Sequence, residues 1–229
     1  MAEWVTRVSD IYAQMMLNDS EKQNNALCVM ANLTNLGWSL EAISGTLGNI
    51  QIESYINPGA CEGNRGIPTT GNLYYGGGLG LIQWTDYPAY SKRHVHPLLW
   101  YANQVNGNWY DGNVQCQLID KADDSSITSC GEGVGALWGW MQYLSYPYIP
   151  FSDYKVFTGS VDDATTYWYY CLERPSQYDT TLQTRKDYAN YWYSYLQGED
   201  PPIPTPTPTP PVYVTGKKMP LWMMCRRPY

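Results

Sequence analysis

The stretch Ser39–Asn57, SLEAISGTLGNIQIESYIN, leaves this chain fewer choices than any other part of it. Ser39 suits a helix N-cap, and Glu41 falls in the first turn, where the positive pole of the helix favours a negative charge. Leu40, Ile43, Leu47 and Ile50 recur at helical spacing and give one apolar face. Pro58 biases Asn57 away from helical geometry, so the helix is expected to end just after Glu53 and Ser54. Gly45 and Gly48 fall inside it, and glycine costs about 1 kcal/mol relative to alanine in a helix interior. That cost is expected where another element packs closely against the same face.

Glu53 then lies in the last turn, beside the apolar stripe and near the negative pole of the helix. Both surroundings oppose ionisation of a carboxyl group. A carboxylic acid that keeps its proton near neutral pH is what cleavage of a glycosidic bond requires. The alternative for this position is a solvated surface glutamate, and close packing alone accounts for the two glycines.

Composition favours the first reading. Twenty-two tyrosines and ten tryptophans stand against two phenylalanines. Tyrosine and tryptophan join a flat apolar face to a hydrogen-bonding tip, which suits a groove for sugars. Core filling is expected of about half of them, but phenylalanine would fill a core as well, so its scarcity points to polar grooves. The formal charge is −7, and the sequence isoelectric point is near 4.7. Nucleic acid is therefore not an expected partner, because binding to phosphate needs a basic surface. No stretch is long and apolar enough to span a membrane. The N-terminus lacks the basic start and apolar core of a secretory signal, so a route other than a signal peptide is expected for any action outside a cell. None of the six cysteines forms a CxxC pair, which argues against a structural zinc site. Buried thiols are expected, with one or two disulfides open and Cys116–Cys130 the nearest pair. His94 and His96 have no accompanying ligand cluster and read as loop or surface residues. No metal or cofactor is implied.

Residues 1–23 read as an N-terminal helical segment, a short amphipathic helix with a polar turn. A helix over Asn25–Leu36 follows, then the opening helix. Pro58–Gly80 is a long Gly-, Asn- and Thr-rich loop carrying Tyr74 and Tyr75, expected as an ordered wall of the site. Its GGGLG run lacks the lysine of a phosphate loop. Leu79–Thr85 reads as a strand or a helix start. Helices are expected over Tyr90–Asn106, Val114–Lys121, Val134–Leu144, Ser160–Arg174 and Asp179–Gln197, with a polar turn at Ser125–Gly133. Residues 24–198 make the principal domain. Residues 199–211, rich in Pro and Thr, read as an extended linker. Residues 212–229 read as a short tail, either disordered or docking on a partner or membrane.

Three patches occur in order: GNIQIES with Asn57-Pro58 after it, GLIQWT at Gly80–Thr85, and LERP at Leu172–Pro175 with Arg185 and Ala189 downstream. Together they resemble the phage tail lysozyme family, a branch of the lysozyme-like superfamily related to lytic transglycosylases and goose-type lysozymes. The resemblance covers roughly residues 24–197. It implies a mainly α (α+β lysozyme-like) fold, a two-lobed helical domain with a loop-rich cleft wall. It also implies cleavage of the β-1,4 bond between N-acetylmuramic acid and N-acetylglucosamine in peptidoglycan. Glu53 matches the catalytic acid of the family and Gln83 its sugar-binding glutamine. Ser54 and Asn57 match positions that shape the site, and Trp84, Tyr55 and Tyr75 are taken with them as substrate-binding side chains.

The second carboxylate stays open. Glu62 and Asp86 lie nearest the two central patches, while Glu173, beside Arg174, reads as one half of a structural ion pair. An N-acetyl group of the substrate is a further possibility, so hydrolysis and formation of a 1,6-anhydro ring both stay open. The expected partners are peptidoglycan and, through the linker and tail, other phage tail proteins. The expected location is the virion tail, acting at the host wall, or release from the host cytoplasm at lysis as an endolysin. A non-catalytic glycan-binding or structural tail protein is the reading from another class.

Overall fold

The computed structural model describes residues 2–63, 65–69, 71–85, 95–131, 138–175, 178–199 and 204 of the chain. Asp86, His94, most of the linker and the tail with Cys225 lie outside the described residues. Within them the secondary structure is helical, and β pairing is confined to isolated bridges. The elements are α1 (Tyr12–Met15), α2 (Asp19–Asn35), α3 (Leu40–Ser54), α4 (Pro97–Gln104), α5 (Gly112–Ile119), α6 (Ser125–Thr128), α7 (Phe151–Lys155), α8 (Val161–Trp168) and α9 (Leu182–Leu196). A π-helical turn over Tyr169–Glu173 continues α8.

The N-terminal segment is not the expected helix. Residues 2–8 have no regular secondary structure, and only α1 is helical before α2. Asn25 draws this segment in, with Nδ2 donating to Val5 O and Oδ1 accepting from Val5 N, both at 2.8 Å. Helix α2 begins at Asp19, ahead of the expected Asn25, because Asn18 and Glu21 form a reciprocal capping box.

Helix α3 is the centre of the fold. Ser39 Oγ accepts from Ala42 N at 3.2 Å, and the helix ends at Ser54, where Tyr55 turns left-handed with φ 56°. Helices α8 and α9 both pack on α3, and α2 joins this group to α5. The two glycines make that packing possible. A Cβ on Gly45 would lie 2.8 Å from the Ala164 backbone in α8. One on Gly48 would lie 2.6 Å from Ala189 Cβ in α9 and closer still to Arg185 O. Gly48→Ala is therefore expected to destabilise the protein by about 1–3 kcal/mol through overpacking, read as a lowered melting temperature.

The described residues of 57–85 lie outside the helices. The run at Leu79–Thr85 is neither strand nor helix start but a tight reversal, with Leu79 and Trp84 exchanging backbone bonds of 2.9 and 3.0 Å. Gly80 and Gln83 take positive φ to close it. His96 is buried, not a surface histidine, and its Nε2 lies 2.8 Å from Trp84 O and 3.1 Å from Gly77 O.

The expected helix over Val134–Leu144 does not exist in its described part, 138–144. Gly139 sits at φ 112°, where a Cβ would collide with Ala122 O. Trp140 N and Met141 N donate instead to Ala122 O and Cys171 O at 2.7 and 3.1 Å. Trp138 and Trp140 face the core from an irregular chain, while Leu144 is exposed. Trp140 packs with Tyr154, Phe151 and Trp168 in an aromatic cluster that also holds Trp38. This cluster fills the core, the role expected of about half of the tryptophans and tyrosines.

No disulfide joins Cys28, Cys61, Cys116, Cys130 and Cys171, and all are buried thiols, including the Cys116–Cys130 pair. Burial pushes the Cys61 and Cys171 thiols up to about 12 and raises Cys28 and Cys116 as well. Since the thiolate is the reactive form, the native protein at pH 8 is expected to leave these thiols untouched by Ellman's reagent. All six should titrate after denaturation.

Candidate functional site

The apolar stripe of α3 continues past Ile50 onto Glu53, and tertiary packing buries that carboxylate to 5% exposure. Its partner comes from α9. Arg185 lies at the start of a face that runs on through Tyr188, Ala189 and Trp192 at helical spacing, so the fold carries its guanidinium inward, where it is 2% exposed. Arg185 Nη2 donates to Glu53 Oε1 at 2.7 Å.

The guanidinium is held on every side. Nη1 donates to Asn49 Oδ1 at 3.2 Å, Nε donates to Thr181 Oγ1 at 2.9 Å, and the carbon lies 5.3 Å from the Tyr169 ring centre. Burial works against the Arg185 charge, but the carboxylates of Glu53, Glu173 and Asp179 outweigh it and raise its pKa further. The sequence shows Glu53 only the apolar stripe and the helix end. The fold replaces that apolar setting with a buried ion pair, because residues 132 positions apart meet across the α3–α9 interface.

Of the candidates for a second carboxylate, Glu62 faces Arg65 at 3.2 Å and accepts from Gly78 N at 3.0 Å. It braces the 62–78 loop. Glu173 accepts from Trp168 Nε1 at 2.9 Å and shares the field of Arg185 with Glu53. The π-helical turn places it there.

The other site residues divide by what their polar atoms do. Ser54 donates to Ile50 O at 3.2 Å and is fully buried. Asn57 is wholly engaged with backbone, donating to Arg7 O and Met15 O and accepting from Arg7 N and Gly59 N. Gln83 Nε2 donates to Gly80 O at 2.9 Å and to Ala60 O at 3.4 Å. These three side chains tie α3, the N-terminal segment and the 79–84 reversal together. Tyr55 meets the hydroxyl of Tyr12 edge-on, and Tyr75 donates to Gly66 O at 2.7 Å from the loop wall.

Trp84 stands where the loop wall meets Glu173. A small pocket there is lined by Ile82, Trp84, Thr85, Trp138, Leu172 and Glu173, with Arg174 and Gly139 at its edge. Trp138 was missed from sequence, because it lay in an expected helix. The role of Arg185 was missed too, although an arginine on the apolar face of a helix signals a buried counter-ion. Among the described residues, no group of three or more His, Cys, Asp or Glu side chains could hold a metal ion. No described helix is long and apolar enough to cross a membrane.

A mainly α domain whose central helix ends on a buried carboxylate is lysozyme-like in architecture. Residues 24–196 match the family model for phage tail lysozymes, and the chain belongs to that family. It is also similar to Morphogenesis protein 1 of Bacillus phage B103, at 27% identity over 190 residues. That alignment takes in 80% of this chain and 42% of the relative, so the chain spans less than half of that protein. Together these comparisons place a lysozyme-like domain of a phage family in this chain.

Proposed function

We propose that the domain cleaves the β-1,4 bond between N-acetylmuramic acid and N-acetylglucosamine in peptidoglycan, with Glu53 as general acid. The proposal extends to a place in the phage tail, where the enzyme opens the host wall locally during infection. The observation that carries it is the placement of Glu53, the match to the family's catalytic acid, in the last turn of the central helix of a domain of this family.

Arg185 takes one carboxylate oxygen, Oε1, and fixes the plane of the group. In this reading Oε2, the oxygen that Arg185 does not hold, is the one that passes a proton to the substrate. Proton transfer to the glycosidic oxygen lets the bond break through an oxocarbenium-like state. Glu173, within the field of the same guanidinium, is the carboxylate we assign to stabilise that positive charge or to activate water. Gln83, Ser54 and Asn57 shape the site by holding its backbone, and Trp84 contributes its wall.

One observation favours a second reading. A glutamate locked to a buried arginine also serves a purely structural end, as in a tail protein that binds glycan without cutting it. Digestion of purified peptidoglycan with the full chain separates the two. New reducing ends on muramic acid establish a hydrolase, anhydro-muramic ends a lytic transglycosylase, and intact glycan strands the structural reading.

A further inference from the structure

Thr181 stands at the N-cap of α9 yet does not cap it. A threonine in that position is ordinarily extended and accepts from a backbone N–H of the first turn. Thr181 instead has helical backbone angles, φ −85° and ψ −6°, and its side chain makes no capping bond. Its hydroxyl is engaged elsewhere. Oγ1 accepts from Arg185 Nε at 2.9 Å and donates to Asp179 Oδ1 at 2.6 Å, an oxygen that also accepts from Thr181 N at 2.7 Å. An ionised carboxylate only accepts, so the hydroxyl proton points to Asp179 and a lone pair is left facing the guanidinium. Arg185 Nη2 then donates to Glu53 Oε1 at 2.7 Å. One run of hydrogen bonds thus leads from half-buried Asp179, through Thr181 and Arg185, to the buried Glu53. A residue that forgoes a local preference is expected at a functional or strained site.

We propose that Thr181 and Asp179 are positioning residues for proton transfer by Glu53, acting through Arg185. The proposal rests on the reading of Glu53 as general acid. A guanidinium is a planar fork of donors, so holding Nε as well as both Nη groups sets its plane and not only its place. Asn49 Oδ1 takes Nη1 from α3 at 3.2 Å, and Thr181 takes Nε from the start of α9. The fork is thus pinned from both sides of the α3–α9 interface. Because Nη2 holds Glu53 Oε1, the plane of the fork directs Oε2, and a reacting group misplaced by about 1 Å costs on the order of 100-fold in rate. Asp179 acts one step further out. Without it, the Thr181 hydroxyl is free to turn to the first N–H groups of α9, which no Thr181 side-chain bond now serves. The plain alternative is that Asp179 and Thr181 only shape the turn that starts α9. The two accounts differ in what the variants do to the rate of a folded protein.

The test is a kinetic cycle on soluble glycan strands with the full chain, each variant first checked for cooperative unfolding. Thr181→Val keeps the side-chain shape and removes the hydroxyl. Its kcat should fall about ten- to hundredfold, the worth of one hydrogen bond to a charged group, with KM unchanged. Thr181→Ser puts the hydroxyl back and should recover most of that loss. Asp179→Ala should lower kcat about three- to tenfold in the wild-type background, the worth of a neutral hydrogen bond. It should have no further effect once Thr181 is valine, because it acts through that hydroxyl. A folded Thr181→Val with wild-type kcat, or losses at the two positions that simply multiply, overturns the positioning role. Should Thr181→Val fail to fold, Asp179→Ala decides, and an unchanged kcat there overturns it. A nitrogen–proton correlation spectrum keeps the two proposals apart. The Arg185 Nε–H, buried and bonded to Thr181, should exchange slowly with water, and its signal should move in both Thr181→Val and Asp179→Ala. Wild type without cleavage removes the reading of Glu53 as acid, and the spectrum then judges the chain of bonds alone. Movement in both variants upholds it as the device that places Glu53, and no movement overturns it.

Discussion

Arg185→Met is expected to cost about 3–5 kcal/mol of folding stability, the penalty for stranding a buried charge. Glu53 is the charge it strands, at 5% exposure and with Arg185 as its ion-pair partner. Asn49 Oδ1 and Thr181 Oγ1 lose their donor in the same step. Against the 5–15 kcal/mol that typically separates folded from unfolded states, this loss is large. Adding Glu53→Gln to Arg185→Met removes the stranded charge. The double variant should therefore be more stable than the sum of the single losses allows, with a coupling of about 0.5–3 kcal/mol. Urea unfolding of the four proteins closes the cycle, and strict additivity would contradict a paired Glu53 and Arg185.

Glu53→Gln is expected to behave in the opposite sense, with a modest loss of stability and a severe loss of activity. The amide keeps an oxygen for Arg185 Nη2, and Glu173 and Asp179 still compensate the guanidinium. The asymmetry follows from the surroundings: Arg185 has three carboxylates in its field, while Glu53 has one bonded guanidinium. What the amide lacks is a transferable proton, and general acid catalysis contributes about 10²–10⁴ in rate. Glycan cleavage should fall by that factor while the melting curve stays cooperative.

The sequence carried the central helix because its signals are local. A Ser cap, an apolar stripe and a proline beyond the end place α3 at Leu40–Ser54, and two glycines announce close neighbours. It carried Glu53 for the same reason, as the next position on the stripe. The ion pair was out of reach, because its partner lies on another helix and no local pattern brings α9 onto Gly48. The segment 138–144 misled because apolar content is the same whether a buried chain is helical or irregular. Gly139 at φ 112° and the backbone bonds of Trp140 and Met141 to Ala122 and Cys171 decide for the latter. Asn57 and Gln83 show the reverse limit. The family resemblance marks them as site residues, but only coordinates reveal that their amides hold backbone in place. The π-helical turn, which brings Glu173 to Arg185, comes from a sequence that reads as plain helix up to Pro175.

The most direct measurement is mass spectrometry of the soluble fragments released from purified peptidoglycan by wild type and by Glu53→Gln, both checked for cooperative unfolding. Muropeptides ending at muramic acid, abundant with wild type and reduced by at least about 100-fold with the variant, are the expected result. Equal fragment yields from both proteins would show that the proton comes from elsewhere and would remove Glu53 from the chemistry.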